Sequence, residues 1–264
     1  MTMTSVRIER RNDGVATVLM ARPKVFNAFD ESMILELDVA FKTLEDDPHV
    51  RVIVLAGEGK HFSAGADLQW MQRASEADAE WNLQDARKFA AMLGRIEQCK
   101  KPTIARVQGA ALGGGVGLAC VCDIAIASED ASFAVSEAKF GILPSVIGPY
   151  LTNAVGKRQA KRLALTTERI SASTALGIGL VQETAPSSDL DATVERTVQS
   201  LLVGAPGAQR EIKVLFAQLN VAQVTSEVRE LTAQTIARVR GTREAKEGFA
   251  AFISKRPPNW IAQK

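Results

Sequence analysis

Gly113-Gly114-Gly115 and Glu137 are the residues whose types and placement could do chemistry in this chain. The triplet follows an apolar run, Thr103 to Val107, predicted as a strand. It precedes a small-residue run, Val116 to about Cys122, predicted as a helix. Glycines between a strand and a helix let the backbone approach a ligand without Cβ interference. The first N–H groups of a helix also lack internal partners, and the helix dipole adds positive potential there. The stretch is therefore suited to an oxygen that carries negative charge. A second apolar strand, Asp123 to Ala127, leads through a polar turn to Phe133 and Glu137. It brings back a carboxylate, a candidate proton-transfer group facing the glycines.

Other chemistries fit less well. His61-Phe62-Ser63-Ala64-Gly65 lacks the first glycine of a Gly-X-Ser-X-Gly elbow, so Ser63 is a poor nucleophile. Leu118 stands where the last glycine of a dinucleotide fingerprint belongs. His49 and His61 are the only histidines, and Cys120-Val121-Cys122 is not a zinc spacing, so no metal is expected. Cys99, Cys120 and Cys122 read as buried free thiols of a reducing compartment. A net charge of +2 carries no nucleic-acid signature. No apolar run is long enough to cross a bilayer, and MTMTSVRIERRND has no apolar signal core. A cytoplasmic protein is the expectation.

The elements that must position these residues follow from patterning over 264 residues. Val6–Arg10 and Val15–Ala21 read as a hairpin about Asn12-Asp13-Gly14. Asp30 is placed to cap a helix with apolar positions from Met33 to Leu44. Val50–Leu55 is a β-branched run suited to a buried strand. The small-residue stretch His61 to Leu68 follows it, as the triplet follows Val107. Asp67 to Leu93 reads as largely helical, with an interruption near Ser75 to Ala79. Helices are expected over Tyr150–Val155 and Gln159–Thr166, with a turn from Gly156, and over Ala172–Leu176 behind a Ser171 cap. A late strand is expected at Leu180–Glu183 and an amphipathic helix at Leu190–Leu202. Beyond Gly204 the pattern is all-helical: Glu211–Asn220, Val224–Val239 and Arg243–Ser254. The chain is accordingly divided into 1–198 and 199–264.

HFSAGADL together with ALGGGVGLACVCDIAIA resembles the enoyl-CoA hydratase/isomerase (crotonase) family. RPKVFNAFD, SEAKFGILPS and KEGFAAFISKRPPNW extend the likeness along nearly the whole chain. The resemblance implies an α/β fold: a spiral of ββα units, residues 1–198, followed by a helical trimerisation segment, residues 199–264. It implies an acyl-CoA thioester as substrate, no separate cofactor, and a homotrimer or homohexamer; some relatives also bind RNA, but nothing in the charge or the apolar pattern calls for a nucleic-acid or membrane partner here.

It also implies roles. The backbone N–H groups of Ala66 and Gly114 would form an oxyanion hole for an enolate-like thioester oxygen, with Glu137 as acid/base. Many hydratases of the family carry a second glutamate where this chain has Gly117. A lone glutamate also suits an enoyl-CoA isomerase. The stretch SEAKFGILPSVIGPY resembles hydratases of glutaconyl-type, branched and carboxylated enoyl-CoAs. Lys139 is then a candidate partner for a second substrate carboxylate, with an ordinary exposed lysine as the alternative. Ala64, Gly113, Gly117 and Tyr150 join it as expected substrate-site residues, Tyr150 having packing as its alternative. Lys24, Val25, Asp67 and Leu68 are expected near the nucleotide of CoA, with Phe252 and Lys255 reaching it from the C-terminal segment. A non-catalytic CoA-ester-binding protein is the remaining alternative.

Overall fold

The structure, a computed structural model, describes residues 4–219 and 242–261, apart from the side chains of Phe249, Phe252 and Ile253. The helix expected over Val224–Val239 lies outside the described residues. Among those described, nine strands form two sheets. The larger sheet has the order β1-β2-β3-β4-β6-β9, with β1 Val6–Arg10, β2 Val15–Met20, β3 Val52–Gly57, β4 Thr103–Val107, β6 Ile124–Ser128 and β9 Glu183–Ala185. β1 and β2 are an antiparallel hairpin; every other neighbour in this sheet is parallel. The smaller sheet is β5-β7-β8, made of Ala110–Leu112, Ser132–Ala134 and Arg169–Ser171.

The two sheets make a repeating unit. A buried strand of the large sheet is followed by a short segment of the second layer and then by helix. β4 leads to β5 and α4 (Gly114–Val121); β6 leads to β7 and, past a 3-10 turn at Glu137–Phe140, to α5 (Gly148–Thr166). After β3 the second-layer segment is reduced to Ser63, which bridges Ala111 in parallel. It is followed by α2 (Leu68–Glu76) and α3 (Ala79–Glu97). This is the ββα spiral that the resemblance implied.

The large sheet is covered on both faces, as its parallel centre requires. Ile53 and Leu55 point into the main core with Met33, Leu37 and Phe41 of α1 (Glu31–Asp46) and Met92, Leu93 and Ile96 of α3. Val52 and Val54 point the other way, against Leu190, Val194 and Val198 of α7 (Leu190–Val203). α1 starts where its cap was expected: the Asp30 carboxylate accepts from Met33 N at 2.8 Å. The polar interior is also satisfied at Glu36. Its Oε2 accepts the backbone N–H groups of Thr4, Ser5 and Val6 at 3.0, 2.8 and 2.9 Å, which fixes the entry to β1.

Several expectations shift. α5 runs through Gly156, whose φ of 76° kinks it where a turn was expected. α6 (Ala172–Gly177) has its Ser171 cap, but the late strand begins at Glu183, not Leu180. α8 is Pro206–Gln218, starting five residues earlier than expected, and α9 is Arg243–Ile253. The boundary expected at 198/199 falls within α7. All three cysteines are free. Burial pushes the Cys99, Cys120 and Cys122 thiols up, Cys120 to about 12.

Candidate active site

The two glycine-bearing loops are stitched together at the carboxyl ends of β3 and β4. Ser63 N donates to Ala110 O at 3.0 Å and Leu112 N donates to Ser63 O at 2.9 Å. Any Cβ on Gly65 would lie 2.8 Å from Leu112 O, and one on Gly115 would lie 2.8 Å from Ser63 O. Gly65 also has a φ of +87°, a left-handed conformation that side chains resist. Both glycines are therefore required by the approach of one loop to the other. Ser63 itself is fully buried, and its Oγ donates to Asn27 O at 2.8 Å, a structural role.

Ala66 and Gly114 both line one cavity of about 500 Å³. Among the described residues the N–H of neither has a partner. The bridge between Ala66 and Phe29 uses Gly65 O and Asp67 N. Gly114 is the first residue of α4, so its N–H has no acceptor a turn earlier. Two unused backbone donors, one at a helix start, thus open into the same apolar space.

Glu137 faces them. Its Oε1 lies 3.2 Å from where a Cβ on Gly113 would be, and its Oε2 is buried with no hydrogen-bond partner among the described residues. Burial raises the Glu137 carboxyl above the ordinary range, against the pull of backbone donors at Glu137 and Ser136. It is the only carboxylate lining the cavity among the described residues. Such a group can hold a proton nearer to neutrality than a surface glutamate does.

The other expected residues divide. Ala64, Gly113, Leu68 and Lys139 line the cavity with Glu137. Lys139 makes no side-chain ion pair among the described residues, and Leu68 is 81% exposed at the rim. Gly117 and Tyr150 are not in the lining, which departs from their expected place. A Cβ on Gly117 would lie 2.5 Å from Ile147 Cγ2, so that isoleucine fills the space a side chain at 117 would need. Tyr150 packs on the core, its hydroxyl near Gly94. Lys24 and Val25 sit in an exposed 3-10 turn outside the cavity. Arg22 beside them pairs with both Asp30 and Asp67 at 3.0 Å. The Asp67 carboxylate is already committed, accepting from Gln69 N and Trp70 N as the cap of α2. Lys255 is exposed and away from the cavity lining; the Phe252 side chain lies outside the described residues.

Sequence reasoning missed most of the apolar wall. Phe29, Phe89, Phe140, Leu143 and Ile147 line the cavity, from one loop, one helix and the segment before α5. All but Phe89 stand in stretches that carry the resemblance, yet nothing in their residue types marks them as cavity wall. Only contact across the spiral makes them neighbours.

The chain belongs to the enoyl-CoA hydratase/isomerase family, whose model matches residues 10–263. It is 37% identical over 262 residues to the mitochondrial enoyl-CoA hydratase of Pongo abelii, covering 96% of this chain and 86% of that one. Among solved structures, an enoyl-CoA hydratase from Shewanella pealeana superposes with a TM-score of 0.94 at 39% identity, covering 98% and 96% of the two chains. AtuE of Pseudomonas aeruginosa gives 0.93 at 35% identity, covering 98% and 100%. No helix among the described residues is long and apolar enough to cross a membrane.

Proposed function

We propose that this protein hydrates a 2-enoyl-CoA thioester. The observation that carries the reading is the lone, partly desolvated Glu137 carboxylate opposite two unused backbone N–H groups. The thioester oxygen would accept from Ala66 N and Gly114 N, which stabilise the negative charge it gains as water adds at Cβ. Glu137 would take the proton from that water and return a proton to Cα, so one carboxyl serves both steps. Burial raises its carboxyl above the ordinary value, so the acid limb of the rate should lie at higher pH than for a surface glutamate.

The acyl group we infer is branched or carboxylated, of glutaconyl type. The cavity volume, its apolar lining and Lys139, which has no ion-pair partner among the described residues, support a bulky chain with an anionic end. For CoA, Lys24, Val25, Asp67, Leu68, Phe252 and Lys255 remain the proposed contacts, with Asp67 acting through its backbone because its side chain is engaged. Isomerisation of a 3-enoyl-CoA is the second reading. The same single carboxylate favours it, since a proton shuttle between carbons needs no second acid.

Incubating CoA esters in H₂¹⁸O and weighing the products separates the two. A labelled hydroxyl supports hydration; an unlabelled product of unchanged mass means isomerisation. Glu137→Gln should lower kcat by roughly 10²–10⁴-fold, the scale of a general acid/base, with a smaller change in KM. Wild-type rates from that variant would remove Glu137 from the chemistry.

A further inference from the structure

Helix α2 forms one wall of the cavity, through Leu68, Trp70, Met71 and Ala74. Yet it has no buried residue. Its apolar anchorage is confined to partly buried side chains, chiefly Trp70 against the main core, where burial usually fixes a helix. Polar bonds supplement it. Asp67 caps its start, Arg73 pairs with Glu31 of α1, and Asn82 Nδ2 donates to Ala74 O at 3.0 Å. One further bond grips a side chain that faces the cavity: Trp70 Nε1 donates to Asp85 Oδ2 at 3.1 Å.

Asp85 lies on α3, behind the wall, and is only 9% exposed. A buried acid is costly unless a donor compensates it, and the Trp70 indole is that donor. The indole in turn meets Phe89 edge to face, with centroids 6.4 Å apart and planes at 83°. Phe89 tilts against Phe29 at 5.7 Å. Phe29 and Phe89 then close over Gly114, lying 2.8 and 3.0 Å from where its Cβ would be. A line of contacts thus runs from Asp85 through Trp70 and Phe89 to the backbone donor.

We propose that Asp85 is a positioning residue which, by gripping the Trp70 indole, fixes the α2 wall and selects the size of the acyl group. The inference rests on the acyl-CoA reading of the cavity but not on which reaction occurs there. Without the grip, the indole loses its acceptor and α2 is free to move outward, so discrimination by chain size weakens.

The test compares Asp85→Leu, Asp85→Asn and Trp70→Phe, each checked for native circular dichroism. Dissociation constants are measured for saturated acyl-CoAs from butyryl to dodecanoyl, which cannot be hydrated, and acrylamide quenching of tryptophan is followed in the Asp85 variants. Asp85→Leu should flatten the wild-type size preference by about tenfold, the scale of one buried donor left unpaired, and should raise quenching. Asp85→Asn keeps an acceptor and should retain the wild-type profile. Trp70→Phe should behave as Asp85→Leu, and combining the two should add nothing further. A folded Asp85→Leu with the wild-type profile and quenching would overturn the proposal. So would Asp85→Asn matching Asp85→Leu, or additive effects of Asp85→Leu and Trp70→Phe. A wild type that binds these esters but turns over no enoyl-CoA would overturn hydration and leave the binding profile to decide the role of Asp85.

Discussion

Gly117 and Ile147 give a prediction whose magnitude follows from geometry. An alanine Cβ at 117 would stand 2.5 Å from Ile147 Cγ2 and 3.1 Å from Ile147 Cβ. Ile147 is 2% exposed and β-branched, so it cannot swing a flexible end aside. Overpacking of this kind costs about 1–3 kcal/mol. Against it stands the helix preference for Ala over Gly, about 0.8–1.0 kcal/mol. The single variant therefore mixes two opposing effects, and a double-mutant cycle separates them. Ile147→Ala alone should cost about 2–5 kcal/mol through the cavity it leaves. In that background the 2.5 Å clash with Cγ2 is gone and only the milder 3.1 Å approach to the Cβ remains beside the helix preference. The propensity gain cancels across the cycle, leaving a coupling of about 1–3 kcal/mol in favour of the double variant. Urea unfolding of the four proteins measures it. A coupling indistinguishable from zero would refute the claim that Ile147 occupies the space of the missing side chain. Gly117→Glu should fare worse than Gly117→Ala, because it adds a carboxylate at a buried position whose described neighbours at the Cβ are Ile147 and Leu93.

Other outcomes follow from single contacts. At Glu36, burial pushes the carboxyl up, but the bonds from Ser5, Thr4, Ser32 and Val6 outweigh it and hold it below the ordinary value. The unfolded chain therefore takes up the proton first, and the stabilisation is present above about pH 4.3 and lost as pH falls through the folded value. Glu36→Gln should lower stability by about 1.5–3 kcal/mol near neutrality and flatten that acid dependence; an unchanged acid unfolding curve would contradict it. Gly114→Pro suits a first helical position but removes the N–H and crowds Phe29 and Phe89. A folded variant should lose about 2.7–4 kcal/mol of transition-state stabilisation; near-normal kcat would reduce the glycine to a turn residue. Light scattering should find a trimer or hexamer, since α8 exposes Ile212, Val214 and Phe216 and such patches need covering; a monomer at micromolar protein would refute this.

The parts of the fold legible in the sequence are those with a strong local period. β3 is a continuous apolar run, β4 is one broken only by Arg106, and α1 has both a cap and an apolar face. The second sheet was not legible. β5, β7 and β8 are each three residues long, too short for alternation to register, and β5 lies among small residues, Gly109 to Ala111. Their pairing depends on partners far along the chain, such as Ala110 with Ser132. At the site, the glycine triplet and Glu137 are legible in residue type, because close backbone approach and a carboxylate leave marks there, whereas Ala66 and the choice of Gly114 come from the resemblance alone. Gly117 was misread as a cavity residue, since a glycine in sequence does not reveal which neighbour fills its missing side chain.

Arg51, just before β3, joins the two ends of the helical segment to the sheet. Its Nη2 donates to Gly204 O at 2.7 Å and its Nη1 to Trp260 O at 3.2 Å. Trp260 Nε1 also donates to Val203 O across 57 residues of chain. The residues that leave α7 and those at the far end of the helical segment thus meet at one guanidinium. The segment is a loop pinned at both ends, not a tail. Closing such a loop has an entropic cost that grows only slowly with its length, about 0.6 kcal/mol for each doubling. Without the Arg51 guanidinium the two ends would keep the Trp260–Val203 bond to each other but lose this shared tie to the start of β3.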